Sequence, residues 1–159
     1  MSKEEIEQNF TFEKEKHFEF FLPFYQQQNW QVVNDNINSG QKNDWDVRLE
    51  IMAGQYVLVD EKALRKEFNN FLLEIMQDIR TGGLGWFYSK KDWILYASWN
   101  EDKYPSSLYL VKTKELKEYV ATLDGMIETC ISLKGWGSTW NIALPWDELM
   151  TKNIAEKLI

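Results

Sequence analysis

The stretch QYVLVDEKALRK, residues 55–66, runs four apolar or aromatic residues, Tyr56 to Val59, straight into Asp60, Glu61 and Lys62. In an extended chain, residues two apart share a face. Asp60 and Lys62 therefore point one way and Glu61 the other. A further acid, Asp46, opens the stretch WDVRLEIMA, in which Trp45, Val47, Leu49 and Ile51 alternate with Asp46, Arg48 and Glu50. A tight turn at Ala53-Gly54 joins the two stretches as an antiparallel hairpin. So paired, Asp46 and Asp60 approach each other on one face of a sheet. Two carboxylates that close repel unless positive charge lies between them. A divalent cation supplies it. Mg²⁺, with Mn²⁺ as substitute, takes oxygen ligands, usually one or two carboxylates with waters and a substrate phosphate. Asp46 and Asp60 are the candidate ligands, and Glu61 offers its backbone carbonyl as another. Lys62 then stands where it can orient water or offset charge that develops on a phosphate. That is a workable site for phosphodiester hydrolysis, although the same triplet also suits a solvated strand rim.

The elements that must position these residues are legible in outline. Over residues 12–28 the spacing of Phe18, Phe21, Leu22 and Tyr25 predicts a helix with Thr11 as its N-cap and Pro23 as a kink or break. NWQVV reads as a short strand and NINSGQKND as a polar loop. After the hairpin, KEFNNFLLEIMQDIR returns to helical period, with Phe68, Phe71, Leu72, Ile75 and Ile79 on one side. TGGLG reads as a turn. WFYS, DWILYASW and LYLVKT read as strands, KELKEYVATL as a short helix, and TWNIALPWDELM as a strand followed by a Pro-initiated helical turn. The expectation is one α/β domain over residues 1–159, a mixed sheet with helices against it.

Composition narrows the function classes. A net charge of −7 argues against a charge-driven nucleic-acid coat, which would be basic, without excluding a local basic groove on an enzyme. One cysteine, Cys130, excludes an internal disulfide and a Cys-only zinc site. That points to a reducing, cytoplasmic setting. The charged N-terminal stretch does not read as a secretory leader, and no apolar run reaches membrane-spanning length.

The ordered set of a helix carrying Glu, NWQVV, DWDVRLEI, VLVDEK, FNNFLLEIMQD and GWFYSKKDWILYAS, over about residues 12–100, resembles the PD-(D/E)xK nuclease superfamily, the restriction-endonuclease-like fold. The resemblance implies a restriction-endonuclease-like core and a Mg²⁺-dependent nuclease of phage or microbial type. Such an enzyme cleaves nucleic acid, DNA ahead of RNA, by a metal-activated water. Asp46 matches the first acid of the motif, Asp60 the second and Lys62 the lysine, with Asp44 a rival for the first role. The family often adds a Glu from the first helix; Glu15 and Glu19 are placed for it, and Glu19 lies nearer the following strand. Small members often work as dimers, so a homodimer is expected. The chain departs from the pattern in having no proline before the first acid and Asp rather than Glu as the second.

Other residues carry weaker signals. His17, the lone histidine, reads as an exposed or partly packed helix residue. Arg65, Lys66, Arg80, Lys90 and Lys91 are candidate phosphate contacts. Asp92 suits a structural hydrogen bond, and Glu74 and Asp78 suit a helix surface. Trp86, Trp93, Trp99, Trp136, Trp140 and Trp146 read mostly as core. The rival function is a non-catalytic adaptor or inhibitor that keeps the fold, which the negative net charge favours.

Overall fold

Ser2 and Glu5 start the first helix. The Glu5 N–H donates to Ser2 Oγ (3.1 Å) and the Ser2 N–H donates to Glu5 Oε2 (2.6 Å). This reciprocal box satisfies two donors that a helix start otherwise leaves open. Helix α1 (Lys3–Lys16) therefore begins well before Thr11. The computed structural model describes residues 2–37, 45–78, 83–85, 88–123, 130–132 and 139–159.

Pro23 has no N–H, and its ring crowds the carbonyl four residues back. The helix breaks just ahead of it. His17–Phe21 forms a π-helical turn in which the Leu22 N–H reaches back to the His17 carbonyl, and α2 (Leu22–Gln27) begins with the proline in its first turn. The wider turn brings His17, Phe21 and Tyr25 inward to full burial and leaves Phe18, expected in the apolar stripe, half exposed.

In chain order the strands are β1 (Gln31–Asp35), β2 (Val47–Met52), β3 (Gln55–Leu64), β4 (Asn70–Asp78), β5 (Gly83–Leu84), β6 (Trp93–Ser98), β7 (Ser107–Lys112), β8 (Cys130–Ser132), β9 (Thr139–Pro145) and β10 (Ala155–Lys157). Helix α3 (Thr113–Thr122) follows β7, and α4 (Trp146–Thr151) follows β9. One six-stranded sheet has the order β1-β2-β3-β6-β7-β10, and a four-stranded sheet has β5-β4-β9-β8. The β3–β6 pair is parallel and its neighbours in the larger sheet are antiparallel. The fold is α/β, with a mixed six-stranded sheet flanked by helices.

The hairpin forms as its sequence predicts. Val47 pairs with Val59 and Leu49 with Val57, and the turn uses Gly54 at φ +77°, where a side chain would be strained. The helix expected over KEFNNFLLEIMQDIR does not form. The segment holds β4, which pairs with β9. Phe71 and Leu73 are buried while Asn70 and Leu72 are exposed, an alternation of period two. A dense apolar run fits both periods, and the β9 partner decides between them. Glu74 and Asp78 thus lie along a strand rather than one helical turn apart. Trp86 and Phe87 of WFYS lie outside the described residues, as do Arg80 and Trp136, and Tyr88–Ser89 are not in a strand.

Alternation along β6 explains the layers. Leu95 and Ala97 join Phe21, Tyr25, Val47, Leu49 and Val59 in a core beneath α1, the π turn and α2. Ile94 and Tyr96 face the opposite way, into a core with Phe71, Leu73, Ile142, Leu144 and Trp146. Trp146 stacks on Tyr109 at 3.8 Å and 4°, and its Nε1 donates to the Phe68 carbonyl (3.2 Å). Replacing Trp146 by Ala should cost about 3–5 kcal/mol of stability. Urea denaturation measures it, and a loss under about 1 kcal/mol would contradict this placement.

Candidate active site

Strand β2 begins at Val47, opposite Val59. Beyond that point β3 keeps its β6 partner, with Asp60 opposite Ile94 and Lys62 opposite Tyr96, and α1 packs alongside β3. Asp46 stands in the fork where the two strands part. Its N–H donates to the Val59 carbonyl (2.8 Å), and its Oδ2 accepts the Glu61 N–H (2.7 Å). The Asp46 and Asp60 carboxyls lie close enough for each to shift the other's ionisation. The sequence expectation that these two acids meet is thus met in the fold.

Two ammonium groups hold Asp60. Lys91 Nζ donates to Asp60 Oδ2 (2.6 Å), and Lys62 Nζ lies 3.4 Å from Oδ1. Burial alone would raise the Asp60 pKa, but the charges of Lys62 and Lys91 outweigh it and keep Asp60 below its ordinary value. Asp46 goes the other way. Burial first, then the charge and hydrogen bond of Asp60, push it up to about 8. Below about pH 8 Asp46 therefore keeps its proton while Asp60 beside it stays ionised. Burial would lower the Lys62 pKa, but Asp60, Glu13 and Asp46 hold its proton on. For Lys91, burial dominates and lowers the pKa despite Asp60.

The remaining expected residues divide. Glu19 does not reach the pair: it is exposed and bonds Lys16 at 3.1 Å. Glu15 is exposed as well, and Asp44 lies outside the described residues. The helix acid that feels the site is Glu13. Burial raises its pKa, Lys62 opposes that, and Asp60 and Glu61 add to it. Glu19 lies nearer the following strand in sequence, but it falls within the π turn on its exposed side. Lys91, expected on a phosphate-contacting surface, has a side chain only 2% exposed. Arg65 donates to the Gln8 carbonyl (2.7 Å), while Lys90 and Lys66 are exposed. Asp92 has the structural role expected of it, with Oδ2 accepting the Leu58 N–H (2.8 Å).

Glu61 turns to the opposite face of β3, as alternation requires. There it meets His17, whose expected exposure is wrong. His17 is fully buried, with Nδ1 2.7 Å from Glu61 Oε2 and Nε2 2.8 Å from Asp35 Oδ2. Burial would lower its pKa, but the bonds and charges of Glu61 and Asp35 raise it. The Tyr25 hydroxyl donates to Glu61 Oε1 (2.6 Å).

The Asp46–Asp60 pair offers oxygen donors alone, which suits a hard cation such as Mg²⁺ or Mn²⁺. Among the described residues no group of three or more His, Cys, Asp or Glu is set up to hold an ion. The pair alone is a minimal set that would need water and phosphate to hold an ion. An ion bound there would have to displace the Asp46 proton. A raised carboxyl pKa means that this group stabilises the metal-free fold fully below its ordinary 3.8 and loses that contribution as pH rises through about 8. Mn²⁺ affinity should therefore climb with pH, by at most about tenfold per unit, and level off above about pH 8. Calorimetric titrations at several pH values measure this. An affinity flat between about pH 6 and 8 would show that no proton is displaced.

No helix among the described residues is long and apolar enough to cross a membrane. No family model matches the chain, and neither a curated protein nor a solved structure is significantly similar to it.

Proposed function

We propose that this chain is a metal-dependent nuclease that hydrolyses phosphodiester bonds of nucleic acid, DNA ahead of RNA, on a restriction-endonuclease-like core. The observation that carries the reading is the convergence of Asp46, Asp60 and Lys62. Two strands bring them together at the point where the hairpin opens. A bound Mg²⁺ would supply a polarised water and neutralise charge at the phosphate. Asp46 and Asp60 would hold the ion through oxygen, with the Glu61 backbone carbonyl as a further donor. Lys62 presents a fixed positive charge on the same face, where charge develops on the phosphate. Lys91 keeps Asp60 ionised and oriented from below. Glu13 sits in the field of Lys62 and is the first-helix acid in place of Glu19. With one such carboxyl pair among the described residues, cutting both strands of a duplex would take a homodimer, and the setting we favour is phage or microbial DNA processing in the cytoplasm.

Two observations favour the rival, a non-catalytic interaction protein. Asp60 is already matched by Lys62 and Lys91 without any cation. The crossover from β3 to β6 also carries a strand, β4, where the resemblance implies a helix. Cleavage separates the readings. Labelled single- and double-stranded DNA and RNA are incubated with wild type and Asp46→Ala, in Mg²⁺, Mn²⁺ or EDTA. The nuclease reading expects cleavage that needs metal and falls by about 10³-fold or more in the variant. No cleavage of any substrate together with no Mn²⁺ binding leaves the adaptor.

A further inference from the structure

The reverse face of β3 holds a buried polar cluster that the hydrolytic reading leaves unused. Glu61 is 6% exposed, and His17 and Tyr25 are fully buried. A carboxylate there is costly unless its oxygens are satisfied. Tyr25 bonds Oε1 (2.6 Å) and His17 bonds Oε2 (2.7 Å). His17 is in turn fixed by Asp35 at the end of β1 (2.8 Å), whose other oxygen accepts the Ile37 N–H (2.8 Å). Both imidazole nitrogens are thus engaged, which leaves His17 unsuited to act as a base toward a substrate.

We propose that Tyr25 and His17 are positioning residues that clamp the Glu61 carboxylate and so fix which way Asp60 and Lys62 point. The catalytic consequence rests on the nuclease reading; the clamp itself rests on geometry. Three observations support it. First, residues 60–64 lie beyond the end of β2 and are laddered on the β6 edge alone, where the rest of the hairpin strand has a partner in β2 as well. A one-residue slip would send Asp60 and Lys62 to the helix side. A buried carboxylate at position 61, satisfied only when it faces Tyr25 and His17, opposes that slip. Second, Glu61 ties the two faces together: its side chain is clamped on one side while its N–H holds Asp46 Oδ2 at 2.7 Å on the other. Third, the residue that closes the clamp sits at the start of a π-helical turn, a costly local form that recurs at functional sites. A buried charged cluster is weak evidence for stability, since apolar side chains of similar volume usually serve that end as well or better.

The test compares wild type, Tyr25→Phe and His17→Gln in three measurements: melting temperature, amide hydrogen exchange by NMR, and Mn²⁺ affinity by EPR. Tyr25→Phe removes one oxygen from a buried ring and retains its shape. The clamp predicts that the Glu61 amide exchanges about tenfold faster while the amide of Val59, two residues away, does not. Mn²⁺ affinity falls by about tenfold, in the range seen when outer supports of metal ligands are removed. In the Glu61→Gln background, Tyr25→Phe should add little, because the two act on one carboxylate. If Tyr25→Phe does not fold, His17→Gln carries the same readouts. Exchange at Glu61 that accelerates only in step with all core amides, with unchanged Mn²⁺ affinity, would overturn the clamp and leave a structural role. If wild type binds no Mn²⁺, the nuclease reading fails, and the Glu61 amide still decides the clamp.

Discussion

Asp60→Asn should abolish metal-dependent cleavage and also destabilise the fold by about 3–5 kcal/mol, an unusual pairing for a carboxylate-to-amide change. The activity loss follows from removing one of the two oxygen groups proposed to hold the ion. The stability loss follows from Lys91. Its side chain is 2% exposed and its ammonium lies 2.6 Å from Asp60 Oδ2. With Asn in place, Lys91 is buried without the carboxylate at 2.6 Å that holds its charge and must stay charged at a cost or lose its proton. Burial already lowers its pKa, so neutralisation is the easier route. The Asp60→Asn/Lys91→Met variant separates the effects. Removing the stranded ammonium should recover most of the stability and none of the cleavage. Urea denaturation and a Mg²⁺-dependent cleavage assay on labelled DNA read the two. Retained cleavage in Asp60→Asn would remove Asp60 from the site. Unchanged stability would mean that Lys91 does not depend on Asp60.

This pairing also shows where sequence reasoning reaches and where it stops. The hairpin was legible because its signals are local: alternation, a Gly at positive φ, and apolar faces that fix the register. Those facts alone place Asp46 opposite Asp60 and turn Glu61 away. Lys91 was not legible. It sits two residues before β6, and only the parallel pairing of β6 with β3 carries its ammonium to Asp60. No local pattern distinguishes it from its exposed neighbour Lys90. The helix acid failed for a related reason. Nearness to the following strand favours Glu19 over Glu15, but Glu19 falls on the exposed side of the π turn that accommodates Pro23, and Glu13 takes the place near Lys62. The same turn buries His17, which a charged flanking sequence disguises. β4 was misread because Phe71, Leu72, Leu73, Ile75 and Met76 satisfy both periods, and its partner β9 lies far along the chain. Local contacts with strong periodicity were thus readable, and long-range pairings that complete the site were not.

Lys62→Ala should separate chemistry from ion binding, which Asp60→Asn cannot. The Lys62 side chain is 27% exposed and its Nζ is 3.4 Å from Asp60 Oδ1, the looser of the two lysine contacts. Lys91 still pairs with Asp60 when Lys62 is gone, so the stability cost should be smaller than that of Asp60→Asn. Mn²⁺ affinity should hold or tighten, because a positive charge beside the carboxyl pair has been removed. Cleavage should nevertheless fall by about 10²–10³-fold, the scale of losing one preorganised charge at a developing anion. The loss should appear in kcat with ion affinity intact. Lys62→Arg should rescue poorly, since a planar fork does not replace a compact ammonium in a site this closely packed. Calorimetry with Mn²⁺ beside cleavage kinetics provides the split. If Lys62→Ala cuts as fast as wild type, the lysine serves only to neutralise Asp60 and the motif assignment fails. If it binds Mn²⁺ at least as tightly and does not cut, ion holding belongs to the two acids and charge stabilisation to the lysine, a division of labour that an adaptor protein would not need.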